Sequence, residues 1–182
     1  GYVTKIYRND GNNFFPEQTS ILLPAVYNST LQAGDYDNDG DLDLLFTGTS
    51  NSGNISKIYR NGGNNTFTEQ TGILLTGVSA SSVNWGDYDN DGDLDILLSG
   101  YTGSSPVTRI YRNNGDNSFT QQTGISLFGI QSGSVAFGDY DNDGDLDILL
   151  TGIASGSFPV SKVYRNNGNN SFTEQIGISL TG

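Results

Sequence analysis

Three stretches of this chain place aspartate at every second position. They are Asp35, Asp37, Asp39, Asp41 and Asp43; Asp87, Asp89, Asp91, Asp93 and Asp95; and Asp139, Asp141, Asp143, Asp145 and Asp147. Each reads D-Y-D-N-D-G-D-L-D, with Gly40, Gly92 or Gly144 at the sixth position. Carboxylates this crowded repel one another strongly unless a cation sits among them. A hard divalent ion with oxygen ligands meets that need. Ca2+ accepts about six to eight oxygens at about 2.3–2.6 Å in a flexible shell, whereas Mg2+ keeps its waters and a strict octahedron. Side chains at positions 1, 3 and 5 wrap the chain around such an ion. Glycine at 6 allows the sharp turn, position 7 offers its backbone carbonyl, and position 9 closes the shell. The side chains of Asp41, Asp93 and Asp145 are then left free, and each loop is expected to be a self-contained site. Closure at position 9, followed by a strand pattern, separates the loop from an EF-hand. The plain alternative is an acidic solvated turn, because Asp, Asn and Gly are ordinary turn residues. Three near-identical copies with strict alternation favour Ca2+, one ion per loop.

Composition removes other chemistries. The 182 residues contain no His, Cys or Met. Zinc sites of the Cys/His kind, disulfides, and Ser–His or Cys–His nucleophiles are therefore excluded. Paired Asp residues could in principle hydrolyse glycosides. Nothing in the sequence separates an acid from a base, however, and three equivalent copies do not make a singular active site. The expectation is a protein without catalysis. There are 20 acidic against 8 basic residues, a net charge of −12, which argues against nucleic acid as a partner. Fifteen of the acidic residues lie in the three loops, so three divalent ions would halve the net charge to −6. No apolar run approaches the length of a membrane span.

The elements that must hold the loops form a repeat. The run GDYDNDGDLD begins at Gly34, Gly86 and Gly138, a spacing of 52 residues. A [K/R]-[I/V]-Y-R-N run recurs at Tyr7, Tyr59, Tyr111 and Tyr164, and an F-[T/P]-[E/Q]-Q run at Phe15, Phe67, Phe119 and Phe172. Within one unit, Ser134–Phe137, Leu146–Thr151, Val160–Arg165 and Ser171–Gln175 read as short strands. Asp10-Gly11, Asn61-Gly62, Asn114-Gly115 and Asn167-Gly168 supply the hairpin turns between the third and fourth of them. Leu42, Leu44 and Phe46 are expected on one face of the second strand and Leu45 on the other, so that strand is buried on both sides. The reading is all-β: tandem four-stranded antiparallel blades of a β-propeller, about 3.5 in number. Residues 1–27 form a partial blade with the last two strands, and 28–80, 81–132 and 133–182 form whole blades. Such a number does not close a ring at the common sizes. Other copies of the chain or further blades are expected as partners.

GDYDNDGDLD, the apolar strand after it, and the Phe137-Gly138 and Thr151-Gly152 pairs resemble the FG-GAP and VCBS repeats, the blades of integrin-α-like propellers and of many secreted bacterial proteins. The resemblance implies Ca2+ bound in each loop on one face of a usually seven-bladed ring. It also implies an extracellular or cell-surface location, bacterial in kind, and a role in adhesion or recognition of a protein or glycan ligand. A self-assembling filament subunit and an accessory domain of a larger secreted enzyme are the alternatives. All 8 basic residues lie in the Tyr-Arg runs, where pairing with acidic neighbours across strands is favoured over recognition of an anionic glycan. Trp85, at a recurring apolar strand position, is expected in the core rather than as a sugar platform.

Overall fold

The computed structural model describes residues 1–64 and 66–178. Among them there is no helix. Strands β1 (Tyr27–Gly34), β2 (Asp43–Ser50), β3 (Gly53–Asn61) and β4 (Phe67–Glu69) form one antiparallel sheet in chain order. β5 (Ser79–Gly86), β6 (Asp95–Tyr101), β7 (Pro106–Asn113) and β8 (Phe119–Gln121) form the second. β9 (Gln131–Gly138), β10 (Asp147–Ile153), β11 (Pro159–Asn166) and β12 (Phe172–Glu174) form the third. These are three propeller-type blades, and the Asp loop joins the first strand of each to the second. The turn between β3 and β4 starts one residue later than Asn61-Gly62: Gly63, not Gly62, takes the left-handed conformation, at φ 70°. Asn61 instead turns its side chain back to accept the Gly63 N–H at 3.1 Å.

The sheets stack face to face because their second strands are apolar on both sides. Tyr36, Leu45 and Ile58 of the first sheet pack on Val83, Ile96, Leu98 and Tyr111 of the second. Tyr88, Leu97 and Ile110 pack in the same way on Val135, Ile148, Leu150 and Tyr164 of the third. The rings of Tyr36 and Trp85 lie 6.4 Å apart and 8° from parallel, and those of Tyr88 and Phe137 repeat both values. Trp85 is thus wedged between blades, as expected of a core residue. Its indole lies over Gly34, where a Cβ would come within 2.7 Å of Cδ1, and Phe137 lies over Gly86 in the same way, at 2.6 Å from Cδ2. Glycine is required at both places because the next blade leaves no room for a side chain. The first strands also touch: Thr30 donates to the Ser81 carbonyl at 2.6 Å, and the Phe137 N–H to Asn84 Oδ1 at 2.9 Å.

The two ends differ from these joints. In residues 1–26 the two expected strands reduce to one bridge, Tyr7↔Glu17, flanked by the backbone bonds Arg8 N–H to Pro16 O and Gln18 N–H to Ile6 O. Among the described residues no second strand lies beside these two to hold them in register. Ile6, Leu23 and Val26 nevertheless cover Leu44, Phe46 and Tyr59 of the first sheet. Leu42 does not join that face. It precedes β2 and is 60% exposed. Its counterpart Leu146 packs near Gly86 of the preceding blade, and residues 1–26 carry no such loop for Leu42 to meet. At the other end, the third sheet presents Tyr140 at 45% and Leu149 at 44% exposure, whereas Tyr36, Tyr88, Leu45 and Leu97 are at 1% or less.

Candidate metal centre

Each loop is built by its own carboxylates bonding its own backbone. At position 1, Asp35 accepts the N–H groups of Asp39 and Gly40, both at 3.0 Å, and Asp87 and Asp139 do the same in their loops. Gly40, Gly92 and Gly144 take φ of 92–94°, a turn that a side chain would strain. Position 9 is the anchor. Asp43, Asp95 and Asp147 are buried, each accepting the N–H of the tyrosine at position 2 and an N–H from the end of the third strand. For Asp95 these donors are Tyr88 at 3.1 Å and Asn113 at 2.8 Å.

Among the described residues, three groups of carboxylates could hold a metal ion: Asp35, Asp37 and Asp39; Asp87, Asp89 and Asp95; and Asp139, Asp141 and Asp147. Within each, one oxygen per residue lies within 4.8 Å of the others. Oxygens sharing one Ca2+ at about 2.3–2.6 Å are at most about 5 Å apart, so this spacing fits. The groups draw on positions 1, 3, 5 and 9. Position 7 is in none of them, which leaves its carbonyl as the atom it could offer.

Position 3 carries the observation that points to a ligand. The Asp37 side chain is 7% exposed and that of Asp89 10%. In both, Oδ1 is buried and has no hydrogen-bond partner. A buried carboxylate oxygen without a donor is costly. The other oxygen is spoken for: Arg60 pairs with Asp37 Oδ2 at 2.5 Å and with Asp39 Oδ2 at 2.8 Å. Arg165 repeats this on Asp141 and Asp143 at 2.9 and 3.0 Å, and Arg112 stands 3.9 Å from Asp89. In the first and third loops the arginine after the strand-three tyrosine therefore holds the position 3 carboxylate by one oxygen, whereas Arg112 stands farther off. Arg8 pairs with Asp10 instead. Lys5, Lys57 and Lys162 pair across strands with Glu17, Glu69 and Glu174, and Arg109 donates to the side-chain oxygen of Gln121.

The loops are not self-contained, and the position 7 side chains are not all free. Asn38 donates to Asp93 Oδ1 and Asn90 to Asp145 Oδ1, both at 2.8 Å, from one blade to the next. Asn113 and Asn166 also reach back, to the Tyr36 and Tyr88 carbonyls, at 2.8 Å. These contacts were not anticipated from the sequence. The signal for them was present, because Asn recurs at loop position 4 and after each Tyr-Arg pair.

Burial pushes the Asp95 carboxyl up to about 7 and the Asp43 carboxyl up to about 6, against the pull of their two backbone donors. Asp147 is raised by the same cause. The ion-free protein thus favours the protonated form of these groups. Their contribution to its stability is present below the ordinary carboxylate value of about 4 and is lost as pH rises through about 6–7. An ion needs the carboxylate, so protons compete with it. The gain in melting temperature on adding Ca2+ is expected to be larger at about pH 8 than at about pH 5. Thermal melts with Ca2+ and with chelator at both values measure it, and an equal gain at the two would refute the role of position 9.

The FG-GAP-like repeat family matches residues 2–46, 35–98 and 99–150. The chain belongs to the FG-GAP-like repeat family. The three matches together span well over half of it and include the first two Asp loops and the third loop with the strand that follows. No curated protein matches the chain. Repeats of this family are typically non-catalytic and usually extracellular. Among the described residues no helix is long and apolar enough to cross a membrane.

Proposed function

We propose that this FG-GAP-like repeat protein is a calcium-binding, non-catalytic extracellular module for adhesion or recognition, with one ion in each Asp loop. The observation that carries the reading is the pair of buried, unpartnered oxygens, Asp37 Oδ1 and Asp89 Oδ1, inside clusters of carboxylates. The ion would be held by the side chains at positions 1, 3, 5 and 9 and by the carbonyls of Asp41, Asp93 and Asp145. It would supply positive charge, neutralising loops that otherwise repel, and so hold fixed the surface between blades. The exposed Tyr140 and Leu149 face supports a further part of the reading, stacking with other blades of the same kind. Calorimetric titration with Ca2+ tests the site assignment. The expected stoichiometry is three ions per chain, and Asp89→Ala is expected to remove the ion of the second loop. No heat of binding, or an unchanged stoichiometry in the variant, would refute it.

A further inference from the structure

The Asp loops of adjacent blades touch through two side-chain bonds that repeat: Asn38 to Asp93 and Asn90 to Asp145, each at 2.8 Å between residues 55 apart in sequence. We propose that these asparagines are positioning residues that couple the cation sites, so that an ion seated in one loop favours binding in the next. The inference rests on the reading that the loops bind ions.

Asn90 lies between Asp89 and Asp91, at positions 3 and 5 of its loop. Its backbone is left-handed, with φ 58°, and Asn38 is the same at 56°. Asparagine tolerates that conformation better than most residues. Seating Asp89 on an ion would fix the backbone on one side of Asn90, and with it the aim of the side chain. The acceptor, Asp145, stands at position 7 of the next loop, where the backbone carbonyl is the ligand. Its N–H is already held by Asp143 Oδ1 at 3.0 Å. Fixing its side chain from the neighbouring blade orders the carbonyl that must face the ion. A loop that holds an ion thus presents its asparagine in place, and the next loop loses less freedom when it binds. The coupling is reciprocal by thermodynamic necessity.

A second bond spans each joint. Asn113, whose N–H is held by Asp95 of the second loop, donates its side chain to the Tyr36 carbonyl in the first loop at 2.8 Å. Asn166 joins Asp147 to the Tyr88 carbonyl in the same way. The second loop is therefore linked on both sides and the outer two on one. Asn142 occupies the position of Asn38 and Asn90, is left-handed at φ 61°, and makes no such bond to another Asp loop among the described residues. It serves as an internal control.

Native mass spectrometry of the full chain during a Ca2+ titration counts ions on each molecule. The wild-type chain is expected to show fewer one-ion and two-ion species than three independent sites would give. Asn90→Gly keeps the left-handed backbone and removes the donor. Asp145→Ala removes the acceptor and keeps the carbonyl. Each is expected to bring the second and third sites to independent filling and to weaken both by roughly fivefold or more, the lower end of common coupling energies. The double variant is expected to be no worse than either single one, because one bond is lost in all three. Asn142→Gly is expected to leave the distribution as in the wild type. Independent filling in the wild-type chain, or the same loss from Asn142→Gly as from Asn90→Gly, would overturn the coupling while leaving the ion sites standing. A chain that takes up no ion at all would remove the sites and the coupling together.

Discussion

Stripping Ca2+ with a chelator is expected to lower the melting temperature of this protein by a large margin, and adding Ca2+ back is expected to restore it. An ion that binds the folded chain alone stabilises it by about 2.7 kcal/mol per site when present at about 100 times its dissociation constant. Three such sites give about 8 kcal/mol, and about 2–4 °C per kcal/mol for a chain of this size makes a shift of roughly 15–30 °C. The loops explain why a large effect is expected. In the first loop three of the five carboxylates, those of Asp35, Asp39 and Asp43, are already held by backbone donors, so the repulsion is not readily relieved by splaying apart. Mg2+ is expected to restore less, because it gives up its waters reluctantly. A melting curve indifferent to chelator would remove calcium from the account of stability.

The second large effect is set by position in the stack rather than by residue type. Leu45, Leu97 and Leu149 hold the same place in their blades. Leu97 is fully buried against the third blade, and Leu149 is 44% exposed. Leu97→Ala is expected to cost about 3 kcal/mol, and up to about 5 if the joint cannot collapse around the cavity. Leu149→Ala is expected to cost well under about 1 kcal/mol in dilute solution, as at other surface positions. Chemical denaturation of the two variants measures both. If the third blade stacks on another, the cost of Leu149→Ala rises with protein concentration towards that of Leu97→Ala. Equal costs at every concentration would mean that the exposed face is covered within the chain itself.

The sequence displayed the architecture because it displayed it repeatedly. A spacing of 52 residues, alternating strands and Asp loops at fixed offsets leave few alternatives to stacked blades. The carboxylate clusters were legible for a local reason: in each loop three of positions 1, 3, 5 and 9 come together within nine residues. What spans blades was harder to read. Asn38 and Asp93 share no local pattern, and their meeting depends on how two sheets pack. The same holds for Arg60, which sits on a strand 21 residues from Asp39 and closes over the loop. Leu42 shows the converse error. Its place in an apolar run suggested burial, and the missing loop ahead of it left it in solvent.

The ring that lies over a glycine at each joint bears on how the chain finds its own order. Blades this alike offer nearly interchangeable faces, so a folding chain risks stacking the first blade directly on the third. Little in the shared motif forbids that error. What differs is the residue two places before each Asp loop: Ala33, then Trp85, then Phe137. An indole over Gly34 and a phenyl ring over Gly86 make the two joints unequal in volume. In a chain of near-copies, these few atoms are what tells one joint from the other.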